Sequence, residues 1–382
     1  MKVLLLSLIF QILAVSPALA AVYPSTKPLI IAHRGASGYL PEHTIEAYWF
    51  AMQMGADFVE PDLVSTKDGV LVARHEPNIT DTTDVKSRPE FADRLKVKSV
   101  DGLEQEGFFV EDFTLAEIKT LRAVQRLAFR DQQYNGKFSI PTLAEIIDAI
   151  NAFELQSGRR VGIYMETKHP TYFRDMNLPL EERMIEVLQN KKFTDSRRIF
   201  IQSFEVSNLK DILSPMLKNL GLTIPLVQLF DDFALQPYDY TKAGRKETYG
   251  DLIKGESLKS TVASYAAGIG PWKGSFVKRV PAEPKNLNGN GQAEAVESLS
   301  GEVLPVISDA HAAGLLVHPY TFRNEEQYLT TDYADAAAEY QAFFDAGVDG
   351  LFTDFTDTAV RARSFFQVKK PELWSPMIQK SF

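Results

Sequence analysis

The chain has 382 residues, 45% apolar and 24% charged, with 22 Gly and 20 Pro; this is ordinary globular composition and excludes a disordered, collagenous or repeat-built protein. Its 41 Lys and Arg stand against 50 Asp and Glu, a net charge of −9, so the broad basic face of a nucleic-acid binder has little to draw on. There is no cysteine, which excludes disulfides, thiolate zinc sites and a cysteine nucleophile.

The first twenty residues read as an export signal. Lys2 gives a positive start, Val3 to Val15 is almost wholly apolar, and Ala18-Leu19-Ala20 is a small-x-small cleavage pattern. The apolar run falls short of the ~20 residues needed to span a bilayer. The expectation is cleavage after Ala20 and a product in the periplasm or outside the cell, without stable membrane insertion. Losing Lys2 leaves 40 basic residues against 50 acidic, a mature charge of −10.

Beyond the signal, short β-rich runs alternate with helical patterns. The strand candidates are Leu29 to His33, Phe58 to Val64, Val161 to Lys168, Arg198 to Phe204, Ile224 to Phe230, Gly268 to Trp272, Leu315 to Thr321 and Gly350 to Phe355. Helices are predicted over Pro41 to Gly55, Glu181 to Lys191, Ser207 to Leu220, Val303 to Gly314 and Tyr333 to Gly347. Another starts at the Thr142–Glu145 capping box, where Leu143, Ile146, Ile147 and Ile150 follow at i, i+3, i+4 and i+7 before Gly158. Eight strands each trailed by a helix close into an α/β (β/α)8 TIM barrel, with the doubly wound open sheet as its competitor. From Pro77 to about Ile140 the charged, irregular pattern reads as a small subdomain inserted after the strand-like Val70 to His75. Its short helix is capped by Thr114 and Glu117. Lys273 to Gly301, rich in Gly, Asn and Pro, reads as a long loop.

In a barrel the active site lies at the C-terminal strand ends, and here those ends are polar. The first closes on His33-Arg34-Gly35, the second carries Glu60 and Asp62, the next run ends in His75-Glu76, and the third strand ends in Glu166 and Lys168. Residues 60 and 62 share one face of a strand. Two unpaired buried carboxylates are costly, and a cation resolves the cost. With Glu166 as a third oxygen ligand, the set suits one hard divalent ion, Ca²⁺ before Mg²⁺, rather than zinc. His33 and His75 flank the carboxylate strand, one as base and one as acid. His43 reads as a helix-placing residue, His169 and His311 as solvated surface positions, and His318 as either a pocket wall or plain packing.

These residues resemble the glycerophosphodiester phosphodiesterases, and among them the secreted or periplasmic type. The resemblance is carried by IIAHRGASGYLPEHTIEAY at 30 to 48, GADFVEPDLVSTKDGVLVARHE at 55 to 76, GIYMETK at 162 to 168, QSF at 202 to 204, GIGP at 268 to 271, LVHPYTFR at 316 to 323 and GVDGLFTDF at 347 to 355. It implies a (β/α)8 barrel that cleaves glycerophosphodiesters, such as those of choline and ethanolamine, to sn-glycerol 3-phosphate and an alcohol with a divalent ion. By position it implies His33 and His75 as the acid/base pair, Arg34 and Lys168 as phosphate-binding residues, and Glu60, Asp62 and Glu166 as metal ligands. One departure is Glu76, where the family usually has Asp. The alternative is a related barrel phospholipase D acting on lysophospholipid or sphingomyelin head groups, which an exposed apolar loop tip would favour. The strand-end residues suit glycerol and phosphate and leave the alcohol unread. The expectation is therefore head-group rates within about tenfold, with Trp272, Phe322 and Phe352 lining a loose mouth.

Overall fold

The computed structural model describes residues 27–366, and the export signal lies outside them. In chain order the strands are β1 (Leu29–His33), β2 (Phe58–Glu60), β3 (Asp62–Ser65), β4 (Leu71–Ala73), β5 (Lys96–Val100), β6 (Leu103–Gly107), β7 (Gly162–Thr167), β8 (Ile199–Ser203), β9 (Leu226–Phe230), β10 (Gly268–Pro271), β11 (Val277–Lys285), β12 (Ala295–Val303), β13 (Leu316–Val317) and β14 (Gly350–Thr353). The parallel order runs β13-β10-β9-β8-β7-β2-β1-β14. Its two ends meet: the Asp349 N–H donates to the Val317 carbonyl at 3.0 Å, the Phe352 N–H to Pro319 at 3.0 Å and the Phe322 N–H to Phe352 at 2.8 Å. The sheet therefore closes as a (β/α)8 barrel, and the open-sheet alternative falls.

Pro61 splits the predicted second strand into β2 and β3, because proline has no N–H to give the ladder. The Pro61 carbonyl still accepts from the Glu166 N–H at 3.0 Å, and Asp62 pairs in register with Glu166. Parallel pairing therefore delivers carboxylates from neighbouring strands to one level of the barrel. Below that level Ile31, Phe58, Tyr164, Phe200, Val227 and Phe352 fill the interior, with the Tyr164 and Phe200 rings stacked at 4.6 Å. Access is left to the strand ends.

The helix Leu143–Ser157 forms as its sequence dictates: Thr142 and Glu145 make a reciprocal capping box, and Gly158 ends it at φ 70°. Leu143, Ile146, Ile147 and Ile150 are fully buried, each contributing about 1.5–3 kcal/mol. The predicted helix from Pro41 starts later, at Ile45, capped by Thr44; residues 41–43 form a turn that serves the site. The helix predicted from Tyr333 starts at Ala336, where the Asp335 carboxylate caps it. The one predicted from Val303 starts at Val306.

The stretch read as a long loop from Lys273 is instead an antiparallel ribbon, β11 with β12, paired from Val277↔Val303 to Lys285↔Ala295 with register shifts between Val277 and Arg279 and between Pro281 and Lys285. Most of its side chains are solvent-facing, so it lacks the buried face that makes a strand visible in hydropathy. The insertion hides a similar ribbon, β5 with β6. It turns at Asp101 and Gly102, both at positive φ (49° and 83°), the Asp-Gly pairing that tight hairpins favour. Residues 78–140 contribute no strand to the barrel. Among the described residues no helix is long and apolar enough to cross a membrane.

Candidate active site

The His33-Arg34-Gly35 turn follows β1 directly. Arg34 stands in the left-handed region at φ 59° and Gly35 at 85°; a Cβ on Gly35 would lie 2.7 Å from the Ala47 backbone, so only glycine fits. The turn aims the Arg34 N–H at Glu60 Oε2, 2.8 Å away. His33, Arg34, Glu60, His75, Glu166 and Lys168 converge on one cavity of about 150 Å³.

Glu60, Asp62 and Glu166 bring carboxylate oxygens within 4.8 Å of one another, and all three are buried. Burial, and then the charges of Asp62 and Glu166, push Glu60 well above the carboxylate range. Burial likewise pushes Glu166 up to about 8, against the pull of Lys168. Asp62 goes the other way: against the desolvation it suffers, Lys168 and the His43 hydrogen bond hold it well below the usual value. Asp62 Oδ1 is buried and has no hydrogen-bond partner. Crowded acids with an orphaned oxygen are the chemistry a hard divalent cation satisfies, so the residues fit the ion expected from the sequence.

His33 and His75 sit on the same cavity, and each has a carboxylate at Nδ1: Asp354 Oδ1 at 2.6 Å for His33 and Glu76 Oε1 at 2.8 Å for His75. Despite its own burial, Asp354 is kept ionised by Arg130 and Arg323, whose nitrogens lie 2.6 and 3.0 Å away. An ionised acceptor assigns the His33 proton to Nδ1 and leaves Nε2 a lone pair, which accepts from Arg34 Nε at 3.2 Å. Burial, reinforced by Arg34, pushes His33 down to about 4, so the ring is neutral at pH 7. Burial, then Arg34 and Lys168, also push His75 below the ordinary imidazole value. Arg34 Nη1 is braced by Glu42 at 3.2 Å, and Lys168 Nζ by Glu166 at 2.9 Å.

Several sequence readings need correction here. His43 does not place the helix; Thr44 does. It is fully buried, with Nε2 2.9 Å from Asp62 Oδ2 and Nδ1 2.7 Å from the Tyr48 hydroxyl, and it orients a carboxylate of the acidic trio. The buried Arg74 donates to its carbonyl at 3.1 Å. His169 is not a solvated surface residue: it is clamped between Asp101 at 2.6 Å and Glu76 at 2.9 Å. Although partly buried, it is pushed up to about 9 by those two carboxylates. His311 is half-buried and meets Asp349 at 2.9 Å. Of the two readings of His318, packing holds: it is fully buried, 3.0 Å from the Tyr164 hydroxyl. Phe322 is core, and Trp272 lines a separate surface cavity of about 280 Å³. Phe352 reaches the cavity that His33 and His75 line, where Phe204 and Tyr320 complete the apolar wall.

Sequence reasoning gave no role to Asp354, Glu42, Arg130, Arg323 or Gln202, whose amide donates to Glu60 Oε1 at 3.1 Å. Asp354 and Gln202 lie at or beside strand ends, which was their available signal. Glu42, Arg130 and Arg323 come from loops, where periodicity says nothing.

Comparison with known proteins decides the family. Residues 33–358 match the model of the glycerophosphoryl diester phosphodiesterase family. The chain belongs to that family. Among its relatives, the glycerophosphodiester phosphodiesterase GDPD6 of Arabidopsis thaliana is 38% identical over 91% of this chain and 88% of its own. A glycerophosphodiester phosphodiesterase of Haemophilus influenzae is 30% identical over 87% and 88%. The family member described here is therefore an enzyme, a phosphoric diester hydrolase of the glycerophosphodiester phosphodiesterase kind. Solved structures confirm the fold. A glycerophosphodiester phosphodiesterase from Agrobacterium tumefaciens superposes with TM-score 0.53 at 17% identity, covering 87% of this chain and 99% of its own. An Oleispira antarctica phosphodiesterase, solved in complex with the product sn-glycerol-3-phosphate, superposes with TM-score 0.52 at 19% identity over 88% and 97%.

Proposed function

We propose that this enzyme hydrolyses glycerophosphodiesters, those of choline and ethanolamine included, to sn-glycerol 3-phosphate and an alcohol, with His33 as base and His75 as acid. The observation that carries the reading is the pair of carboxylate-backed imidazoles on a cavity also lined by Arg34, Lys168, Glu60 and Glu166, the last two clustered with Asp62. Glu60, Asp62 and Glu166 would hold the divalent cation, Ca²⁺ first and Mg²⁺ second, since an all-carboxylate donor set suits either hard ion rather than zinc. When bound, the ion supplies positive charge that acidifies a neighbouring hydroxyl and offsets phosphate charge.

The chain's own residues do the rest. Arg34, its guanidinium turning from His33 Nε2 to the phosphate, and Lys168 neutralise the phosphate oxygens, which otherwise repel any nucleophile. His33 Nε2 accepts the proton of the attacking hydroxyl as its oxygen bonds to phosphorus, and Asp354 stabilises the imidazolium that forms. The phosphorus–oxygen bond to the alcohol breaks, and His75, protonated from solvent once the diester's negative charge offsets Arg34 and Lys168 and held in that state by Glu76, delivers its proton to the departing oxygen. The same pair serves attack by the substrate's glycerol hydroxyl, followed by water opening the cyclic phosphate, and attack by water directly. Support for the substrate class comes from the names of the relatives and the product seen in the Oleispira structure. The test is release of sn-glycerol 3-phosphate from glycerophosphocholine with and without EDTA; turnover untouched by exhaustive chelation ends the metal part of the reading.

The lysophospholipid alternative has one observation in its favour. On the β5–β6 ribbon Val97 is 62% exposed and Leu103 70%, next to the acidic Glu104 and Glu106. Co-sedimentation with vesicles tests it. Action after export rests on residues 1–20, and N-terminal sequencing of the secreted product tests that.

A further inference from the structure

A second cavity, of about 500 Å³, opens beside the catalytic one and shares His75, Glu166, Lys168, Phe204 and Tyr320 with it. The catalytic cavity is the smaller, about 150 Å³, and the larger falls in the roughly 300–1,000 Å³ range of small-molecule sites. With the phosphate against Lys168, on the shared wall, a diester has one arm in each. The inference rests on that reading of the catalytic site.

The walls of the larger cavity are aromatic and charged, the acids Glu76, Asp101, Glu166, Glu205 and Asp231 outnumbering the cations Lys168 and His169. The Phe204 ring meets Tyr320 edge-on at 6.0 Å and Tyr249 at 6.3 Å. Both tyrosine hydroxyls turn to backbone, Tyr249 donating to the Phe204 carbonyl at 3.1 Å and Tyr320 to that of Phe230 at 2.8 Å, so the rings rather than the hydroxyls are offered. Glu205, two residues beyond β8, is only 3% exposed. Its oxygens meet the Thr171 N–H at 3.3 Å and the Thr171 hydroxyl, and among the described residues it forms no ion pair. Burial pushes its carboxyl up to about 8, with Asp101 and Asp239 adding to the effect. Asp231, directly after β9, lines the same cavity, is exposed, and likewise forms no ion pair among the described residues. Of the other acids there, Glu76 and Asp101 are bridged by His169 and Glu166 is paired with Lys168. Lys168 Nζ stands 5.4 Å over the Phe204 ring, so this aromatic corner already faces one cation, and the two acids beside it that form no ion pair are the chemistry that recognises a second, an organic ammonium group.

We propose that this cavity is a leaving-group subsite for the ammonium end of a cationic alcohol, choline or ethanolamine, held by Glu205 and Asp231 against the Phe204, Tyr249 and Tyr320 rings. It makes the enzyme selective for cationic head groups over neutral ones, in contrast to the even rates expected from the strand-end residues alone. The test uses the protein with its divalent ion. Glycerophosphocholine is expected to exceed glycerophosphoglycerol at least tenfold in kcat/KM. Choline is expected to inhibit at least tenfold more tightly than its uncharged isostere 3,3-dimethylbutan-1-ol. Asp231→Asn and Glu205→Gln should each lower the choline-to-glycerol preference at least threefold, through KM more than kcat; Asp231 is exposed, so its replacement does not threaten folding. Diesters turned over within twofold of each other, or choline and its isostere inhibiting alike, overturn the subsite and leave the phosphodiesterase reading standing. Turnover of neither diester takes both down.

Discussion

Asp354 is the most heavily used carboxylate in the site that sequence reasoning passed over, and Asp354→Asn separates its roles. It accepts from His33 Nδ1 at 2.6 Å, Arg130 Nη2 at 2.6 Å and Arg323 Nε at 3.0 Å, with a side chain 2% exposed. Asparagine keeps the shape but removes the charge and can accept through one oxygen only. Breaking a buried pair from one side costs about 3–5 kcal/mol. Arg130 retains Glu325 at 2.6 Å and the Ser37 carbonyl at 3.0 Å, which places the loss at the lower end, ~3 kcal/mol, and a drop of several degrees in Tm follows. The kinetic effect is larger. Asp354 is what raises the proton affinity of His33 against burial and Arg34, and it fixes the proton on Nδ1. Its loss weakens the base and frees the ring to present the wrong nitrogen, so kcat should fall on the order of 10²-fold or more while KM changes little. Steady-state kinetics on glycerophosphocholine at 25 °C, with circular dichroism to confirm folding, decide it. A folded Asp354→Asn with kcat within twofold of wild type, beside a His33→Ala that has lost activity, would show Asp354 to be only a counter-ion for two arginines.

Removing the divalent ion should abolish turnover and lower Tm, because a ligand held at 100 times its Kd contributes about 2.7 kcal/mol to the native state; elemental analysis and differential scanning calorimetry read both. His75→Ala should cost on the order of 10²-fold in kcat with metal affinity nearly intact, and the double variant with His33→Ala should lose less than the product of the single losses if the two act as a unit. Burial pushes His318 down to about 4, whereas an unfolded imidazole titrates near 6.5. As pH falls the unfolded chain binds that proton first, so this contribution is fully present above about pH 6.5 and lost as pH drops toward 4. At pH 5 the loss is about 2 kcal/mol, and His318→Gln, which can keep a bond to Tyr164, should shrink the pH 7.5-to-5 stability difference in urea unfolding by about that much. An unchanged difference would mean the buried ring is not what acid attacks.

The barrel was legible because its evidence is repetitive: each parallel strand is buried on both faces and reads as an apolar run, and each helix carries a cap and a period. The ribbon β11–β12 was not, since two strands held by backbone bonds with mostly solvated side chains leave no hydropathic trace. The same distinction runs through the site. Glu60, Asp62, Glu166 and His33 belong to strands, where burial makes a polar residue conspicuous, and the structure gathers them. Glu42 meets Arg34 and Arg130 meets Asp354 only because the chain folds back. Arg130 in the insertion and Arg323 beyond β13 meet at Asp354, 224 and 31 residues away in sequence, a convergence no local pattern records. His43 and His169 mislead for the opposite reason. Each stands next to a helix start, where a polar residue is ordinarily a cap or solvated, yet each adopts positive φ, 57° and 48°, and that backbone turns the ring inward to a carboxylate. The acidic trio and His33 are thus written in the strands, whereas Glu42, Arg130 and Arg323, which set the charge around Arg34 and His33, are written in the loops. Asp231 and Glu205, just past β9 and β8, and Tyr249, at the start of the short helix Tyr249–Leu252, likewise lie outside the strands, so the part of the molecule proposed to read the alcohol is the part that strand periodicity could not show.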